Sequence, residues 1–78
     1  MITPEQCRAA RALLKISQQQ LAEWSGVSLR SIQGFEAGER NLQSLALSAV
    51  ERVLGAQGIV LIEQQDWTGV KLRLPRQP

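Results

Sequence analysis

The sequence predicts a mainly α fold of four short helices followed by a C-terminal β-hairpin. Three observations predict it. Apolar residues recur at three- and four-residue steps along most of the first 57 positions, the period of a helix with one face buried. Capping patterns and glycines cut that stretch into four pieces. After Gly58 the pattern turns β-branched and then alternates strictly, the period of a strand.

Thr3-Pro4-Glu5-Gln6 opens the first helix. Thr3 caps, Pro4 suits the first helical position, and Gln6 lies where a capping box places its second member. The helix is expected to reach about Leu14, burying Ala10, Leu13 and Leu14 while Arg8, Arg11 and Lys15 stay polar. Ser17-Gln18-Gln19-Gln20 repeats the box pattern and starts a second helix with Leu21 and Ala22 as its apolar stripe. Gly26 breaks it, being suited to the positive φ of a helix C-terminal turn. Ser28 caps a third helix from Leu29 to about Ala37, with Ile32, Phe35 and Glu36 on one face, and Gly38 ends it. The fourth is expected over residues 42–57, with Leu42, Leu45, Ala46, Ala49, Val50, Val53 and Leu54 forming a broad apolar face. Ile59 to Ile62 and Val70 to Leu74 read as strands joined by turn chemistry at Gln65-Asp66-Trp67-Thr68-Gly69. Pro75 to Pro78 reads as a frayed end.

Composition narrows the function. The chain has 78 residues, one domain's worth, with 44% hydrophobic and 21% charged residues, ordinary globular values. It has no His, no Tyr and one Cys, Cys7. That removes His-based acid/base chemistry, a Ser-His-Asp triad, a Cys-His dyad, a Cys/His zinc cluster and an intrachain disulfide. No catalytic residue, metal or cofactor is expected, and the chain does not read as an enzyme. Nine Lys and Arg against seven Asp and Glu give a net charge of +2, which permits nucleic-acid binding without demonstrating it. The longest aliphatic run, Ile59 to Ile62, is far short of the ~20 residues of a membrane span. Glu5, Arg8 and Arg11 interrupt any signal-peptide pattern. A cytoplasmic protein without a membrane partner is expected.

The informative stretch runs from Gln18 to Phe35. Two helices crossing at roughly 90–120° need a small residue where their backbones approach, a turn residue tolerant of positive φ, and apolar pegs from the second helix. Ala22, Gly26 and the pair Ile32 and Phe35 stand at those places. The second helix of such a helix-turn-helix presents its outer residues to the major groove. Here these are Leu29, Arg30, Gln33 and Gly34, with Ser28 and Ser31 at the helix start. Arg pairs with guanine bidentately and Gln with adenine.

Ala9-Ala10-Arg11-Ala12-Leu13-Leu14, Ser17 to Ala22, Gly26-Val27-Ser28 and Ile32 to Arg40 resemble the lambda repressor/Cro-like helix-turn-helix family, of xenobiotic-response-element type. The resemblance covers about residues 4–58. Gly58 to Ile62 and Gly69 to Leu72 also look like the hairpin appended to many short bacterial members. It implies a helix-turn-helix DNA-binding domain over residues 1–58 and a hairpin over 59–78 that serves dimerisation or packing.

The resemblance further implies a base-reading set of Arg30, Gln33, Leu29 and Gly34. Gly34 has no side chain to read with and Leu29 offers only a thymine-methyl contact, so direct readout concentrates on Arg30 and Gln33. Gln18, Ser28, Ser31, Arg40 and Asn41 match phosphate-facing positions, with Gln18 also buttressing the third helix. Arg11 and Glu36 match a structural ion pair, a reading preferred over Arg11 as a phosphate ligand. Plainer readings stand beside these: Arg30 and Gln33 as solvated surface, Cys7 as half-buried packing, Glu36 and Glu39 as a helix-end charge pair. Trp24 lies off the core stripe and Trp67 in a turn, where contact with the hairpin or a partner competes with plain exposure.

The function expected is a sequence-specific DNA-binding transcriptional regulator, a homodimeric repressor on paired half-sites of double-stranded DNA that acts by occlusion. The alternative is the antitoxin of a toxin–antitoxin pair, binding its own operator and a toxin through the C-terminal hairpin surface. A protein–protein adaptor that has lost DNA binding is the remaining rival. Val70, Leu72 and Leu74 are expected to form one apolar face and, with the aliphatic surface of Ile59 to Ile62, to make the hairpin the assembly element by two-fold pairing of its edge. The alternative is a hairpin folded back over the fourth helix, with dimers forming only on DNA.

Overall fold

The computed structural model describes residues 1–75; residues 76–78, the rest of the expected frayed end, lie outside the described residues. Four helices, α1 (Pro4–Leu14), α2 (Gln18–Ser25), α3 (Leu29–Glu36) and α4 (Ser44–Ala56), precede an antiparallel hairpin of β1 (Ile59–Gln64) and β2 (Trp67–Leu72). Each break has a local cause. Lys15 takes the left-handed conformation (φ 58°) after α1, Gly26 does so after α2 and Gly38 after α3 (φ 75° each). Among the described residues no helix is long and apolar enough to cross a membrane.

The core draws on every element except β2: Ile2, Cys7, Ala10, Leu21, Ala22, Ile32, Phe35, Leu42, Val50, Leu54 and Ile59 are buried. Half-buried Leu61, Val70 and Leu72 close it from the hairpin. β2 lies along α1 and β1 reaches α4.

Gln6 joins the hairpin to the helices. Its Oε1 accepts from the Thr3 backbone N–H (3.0 Å) while Thr3 Oγ1 accepts from the Gln6 N–H (3.1 Å), so the capping box is complete. Its Nε2 donates to the carbonyls of Ile62 (3.2 Å) and Gly69 (3.0 Å), partners across the two strands. One buried amide therefore starts α1 and pins the ribbon over it. The chain start adds a second tether, with the Ile2 N–H donating to Glu51 and the terminal ammonium to Glu63, each at 3.3 Å.

Four expectations need correction. Leu13 is 44% exposed, because it lies at the margin of the stripe formed by Gln6, Cys7, Ala10 and half-buried Leu14, about 100° of helix from Leu14 and on the side away from Cys7. Cys7 is fully buried rather than half-buried. α4 begins at Ser44; Leu42 is buried from the preceding loop, and Leu45 is 87% exposed because it lies half a turn around the helix from Leu54. Leu47 packs on the core instead. The hairpin turn is shorter than expected: Gln64 pairs with Trp67, so only Gln65 and Asp66 connect the strands. Trp and Thr suit a pleated strand better than a turn, and Trp67-Thr68-Gly69 extend β2. Val70 and Leu72 face the core, and Leu74 lies beyond the strand end.

Gln6→Ala removes the hairpin pin and half the box together. It should lower the unfolding free energy by about 1–3 kcal/mol and speed amide exchange in β1 and β2 more than in α3, measured by urea titration and hydrogen exchange. Unchanged strand protection would contradict the role given to Gln6.

Candidate nucleic-acid interface

α2 and α3 are held at a fixed angle by caps and by one turn. Ser17 Oγ accepts from the Gln20 N–H (3.0 Å); the reciprocal bond, from the Ser17 N–H to the Gln20 side chain, does not form. The Gly26 N–H closes α2 onto Ala22 (2.9 Å), and Val27 dips half-buried toward the core. Ser28 caps α3 by accepting from the Ser31 N–H (3.1 Å). Leu21, Ala22, Ile32 and Phe35 are buried where the two helices meet, which leaves the opposite side of α3 outward.

Behind α3 lies a buried charge. Glu36 is only 2% exposed, and Arg11 grips it with both arms: Nε donates to Oε2 (2.7 Å) and Nη2 to Oε1 (2.6 Å). Gln18 Nε2 donates to Oε1 (3.0 Å) and the Cys7 thiol to Oε2 (3.1 Å). Arg8 donates to the Glu36 main-chain carbonyl at the end of α3, where a cation suits the helix dipole. Burial alone would raise the Glu36 pKa; the hydrogen bonds from Arg11, Cys7 and Gln18 and the Arg11 charge outweigh it and hold the carboxyl below its usual range. The same contacts act in reverse on the partners. Burial, then the hydrogen bond to Glu36, pushes the Cys7 thiol well above its usual range, and the hydrogen bond to Glu36 raises Arg11.

On the outer side Arg30 and Gln33 project into solvent, and their side chains form no hydrogen bond or ion pair among the described residues. They rim a shallow depression with Gly34, Ala37, Glu39 and Arg40. Arg40 also rims a neighbouring depression with Ser31, Asn41 and Gln43, so it forms the ridge between the two. Leu29 is half-buried and packs on the core, and Gly34 is half-buried beneath Arg40. Ser28 Oγ donates to Ser31 Oγ (2.8 Å), which leaves the Ser31 hydroxyl hydrogen free. Gln18 spends one amide hydrogen on Glu36 and keeps the other.

Three contributors escape sequence reasoning: Arg8 at the end of α3, Cys7 on the buried carboxylate, and Gly34 as the bed of Arg40. Cys7 and Arg8 work through a residue 29 and 28 positions away and Gly34 through the loop that follows its helix, and a helical period carries no trace of either. Trp24 borders an open depression together with Val53, Ala56 and Gln57 at the end of α4. Trp67 is 71% exposed on β2. Among the described residues no three His, Cys, Asp or Glu side chains converge as a metal site.

Residues 8–58, about two thirds of the chain, match the helix-turn-helix family model. No curated protein matches the chain.

Arg11→Ala would strand the Glu36 charge in the core and should cost roughly 3–5 kcal/mol. The carboxyl titrates lower folded than unfolded, so its stabilisation is complete above the unfolded value near ~4.3 and is lost as pH falls through the folded value. Glu36→Gln should therefore flatten the acid limb of a plot of urea midpoint against pH. An acid limb as steep as that of wild type would show that Glu36 does not carry this charge.

Proposed function

We propose, for a chain that belongs to the lambda repressor/Cro-like helix-turn-helix family, a sequence-specific transcriptional regulator that works as a homodimeric repressor. Family membership supports DNA-binding regulation at the coarse level. The observation that carries the finer reading is the outer face of α3, where Arg30 and Gln33 stand free while the inner face is committed to the core.

In this reading α3 enters the major groove. Arg30 reads guanine through O6 and N7, Gln33 reads adenine, and Leu29 offers its exposed edge to a thymine methyl. Ser31, through its free hydroxyl hydrogen, and Gln18, through its second amide hydrogen, donate to phosphates; Ser28, Arg40 and Asn41 border the same strand. Phosphate contacts fix register, and the two base readers supply specificity. The bound protein represses by occupying DNA that the transcription machinery needs.

A dimer must set its two α3 helices about 34 Å apart to reach successive major grooves. The outward face of the hairpin supports self-association: Val60 is 42% and Trp67 71% exposed, on the side of the ribbon away from the core. A two-fold contact there would be isologous. The same exposed Trp67 supports the second reading, an antitoxin whose hairpin takes a toxin.

Selection from a random duplex pool should enrich a paired half-site. Arg30→Ala should then cost about 1–3 kcal/mol on the selected site and relax one position. Equal loss on selected and random DNA would make Arg30 a phosphate contact, and no enrichment at all would favour the adaptor reading.

Dimerisation is testable without truncation, which would strip Ile59 from the core. Wild type should have the mass of a dimer by sedimentation, and Val60→Lys with Trp67→Lys that of a folded monomer. A double variant that stays dimeric moves the interface elsewhere.

A further inference from the structure

Gly34 is the sixth residue of the eight-residue helix α3, and within a helix glycine is the least favourable residue after proline. The backbone does not require it, since Gly34 is not among the glycines with positive φ. Its neighbours do. A Cβ built at position 34 would lie 2.8 Å from Arg40 Cγ and 2.9 Å from Cδ, closer than a real Cβ comes to such atoms, and 3.0 Å from Nε. The main chain of the loop is hooked to the same residue, with the Gly34 carbonyl accepting from the N–H of Glu39 (2.9 Å) and of Arg40 (3.3 Å). Thus the Arg40 backbone is fixed beside α3, and its side chain lies in the space that a residue 34 side chain would fill.

We propose that Gly34 is a positioning residue for Arg40. The missing side chain makes a bed for the Arg40 stem, and its guanidinium joins Arg30 and Gln33 on the outer surface of α3 as a pre-set phosphate ligand. The inference rests on the DNA-binding reading for the phosphate, but the seating of Arg40 does not need it. A side chain at position 34 meets the Arg40 stem from Cγ outward, so Arg40 must rotate about χ1 to clear it and its guanidinium swings away from α3.

The test uses the full chain, the selected duplex and a random-sequence duplex. Gly34→Ala should stay folded and melt close to the wild-type temperature, the helix preference of alanine offsetting the rotation forced on Arg40. It should nevertheless weaken binding by a similar factor on both duplexes and lower the slope of log affinity against log salt by about one, as loss of one phosphate contact does. Arg40→Ala should do the same, and the double variant should bind no worse than Arg40→Ala alone. Relaxation of the Arg40 Nε–H by NMR supplies a readout without DNA: restricted in wild type, freely mobile in Gly34→Ala. An Arg40 equally mobile in both proteins overturns the seating. Wild-type affinity in Gly34→Ala, or a loss that persists undiminished when Arg40 is already Ala, overturns the coupling and leaves residue 34 meeting DNA directly. If wild type binds neither duplex, the phosphate contact falls with the reading it rests on, and the Nε–H measurement alone decides the seating.

Discussion

Glu36 is buried, ionised and shared. Arg11 and Cys7 reach it from α1, Gln18 from α2, and the carboxylate itself ends α3. A lone charge in the core would be prohibitively costly, so the carboxylate is tolerable only while all three helices stay in register around it. Direction is thereby added to a hydrophobic contact that has none. Ile32 and Phe35 would bury about equally well at several rotations of α3, whereas the two Arg11 bonds accept one. The helix that presents Arg30 and Gln33 is aimed by a group on its opposite side.

The need for such an anchor follows from size. α2 and α3 have eight residues each, well below the length at which isolated helices persist in water. The hairpin has two strands, also marginal alone. Caps at Thr3, Ser17 and Ser28 lower the cost of each start, but packing has to supply the rest. Gln6 does for the ribbon what Glu36 does for the helices: a polar group, buried and fully used, fixes where an otherwise mobile element lies. No buried side-chain nitrogen or oxygen among the described residues lacks a partner, so these polar groups specify without leaving a desolvation penalty behind.

Glycine serves two separate ends here. At Gly26 the backbone is left-handed and nothing lies near a built Cβ, so the residue is there for its φ. At Gly34 the backbone is ordinary and the space is taken, so the residue is there for its missing side chain. The two look alike in the sequence. Only the first could be read from it, since turn chemistry is local, whereas the second depends on a loop that folds back six positions later.

What the sequence determined by itself is whatever depends on neighbours within a turn or two. That includes the caps at Thr3, Ser17 and Ser28, the breaks at Gly26 and Gly38, and the change from helical to alternating period after Gly58. It also includes the Ala22, Gly26, Ile32 and Phe35 spacing that marks the helix-turn-helix. These are legible because backbone propensity and periodicity act over a few residues. The tertiary structure decided which apolar positions were surplus, turning Leu13 and Leu45 outward and burying Leu42 from a loop. It gave Gln6 a second task 56 positions away, made Cys7 a donor to Glu36, and laid Arg40 across Gly34. Those outcomes depend on which surfaces meet once the chain is compact, and a one-dimensional pattern does not carry that information.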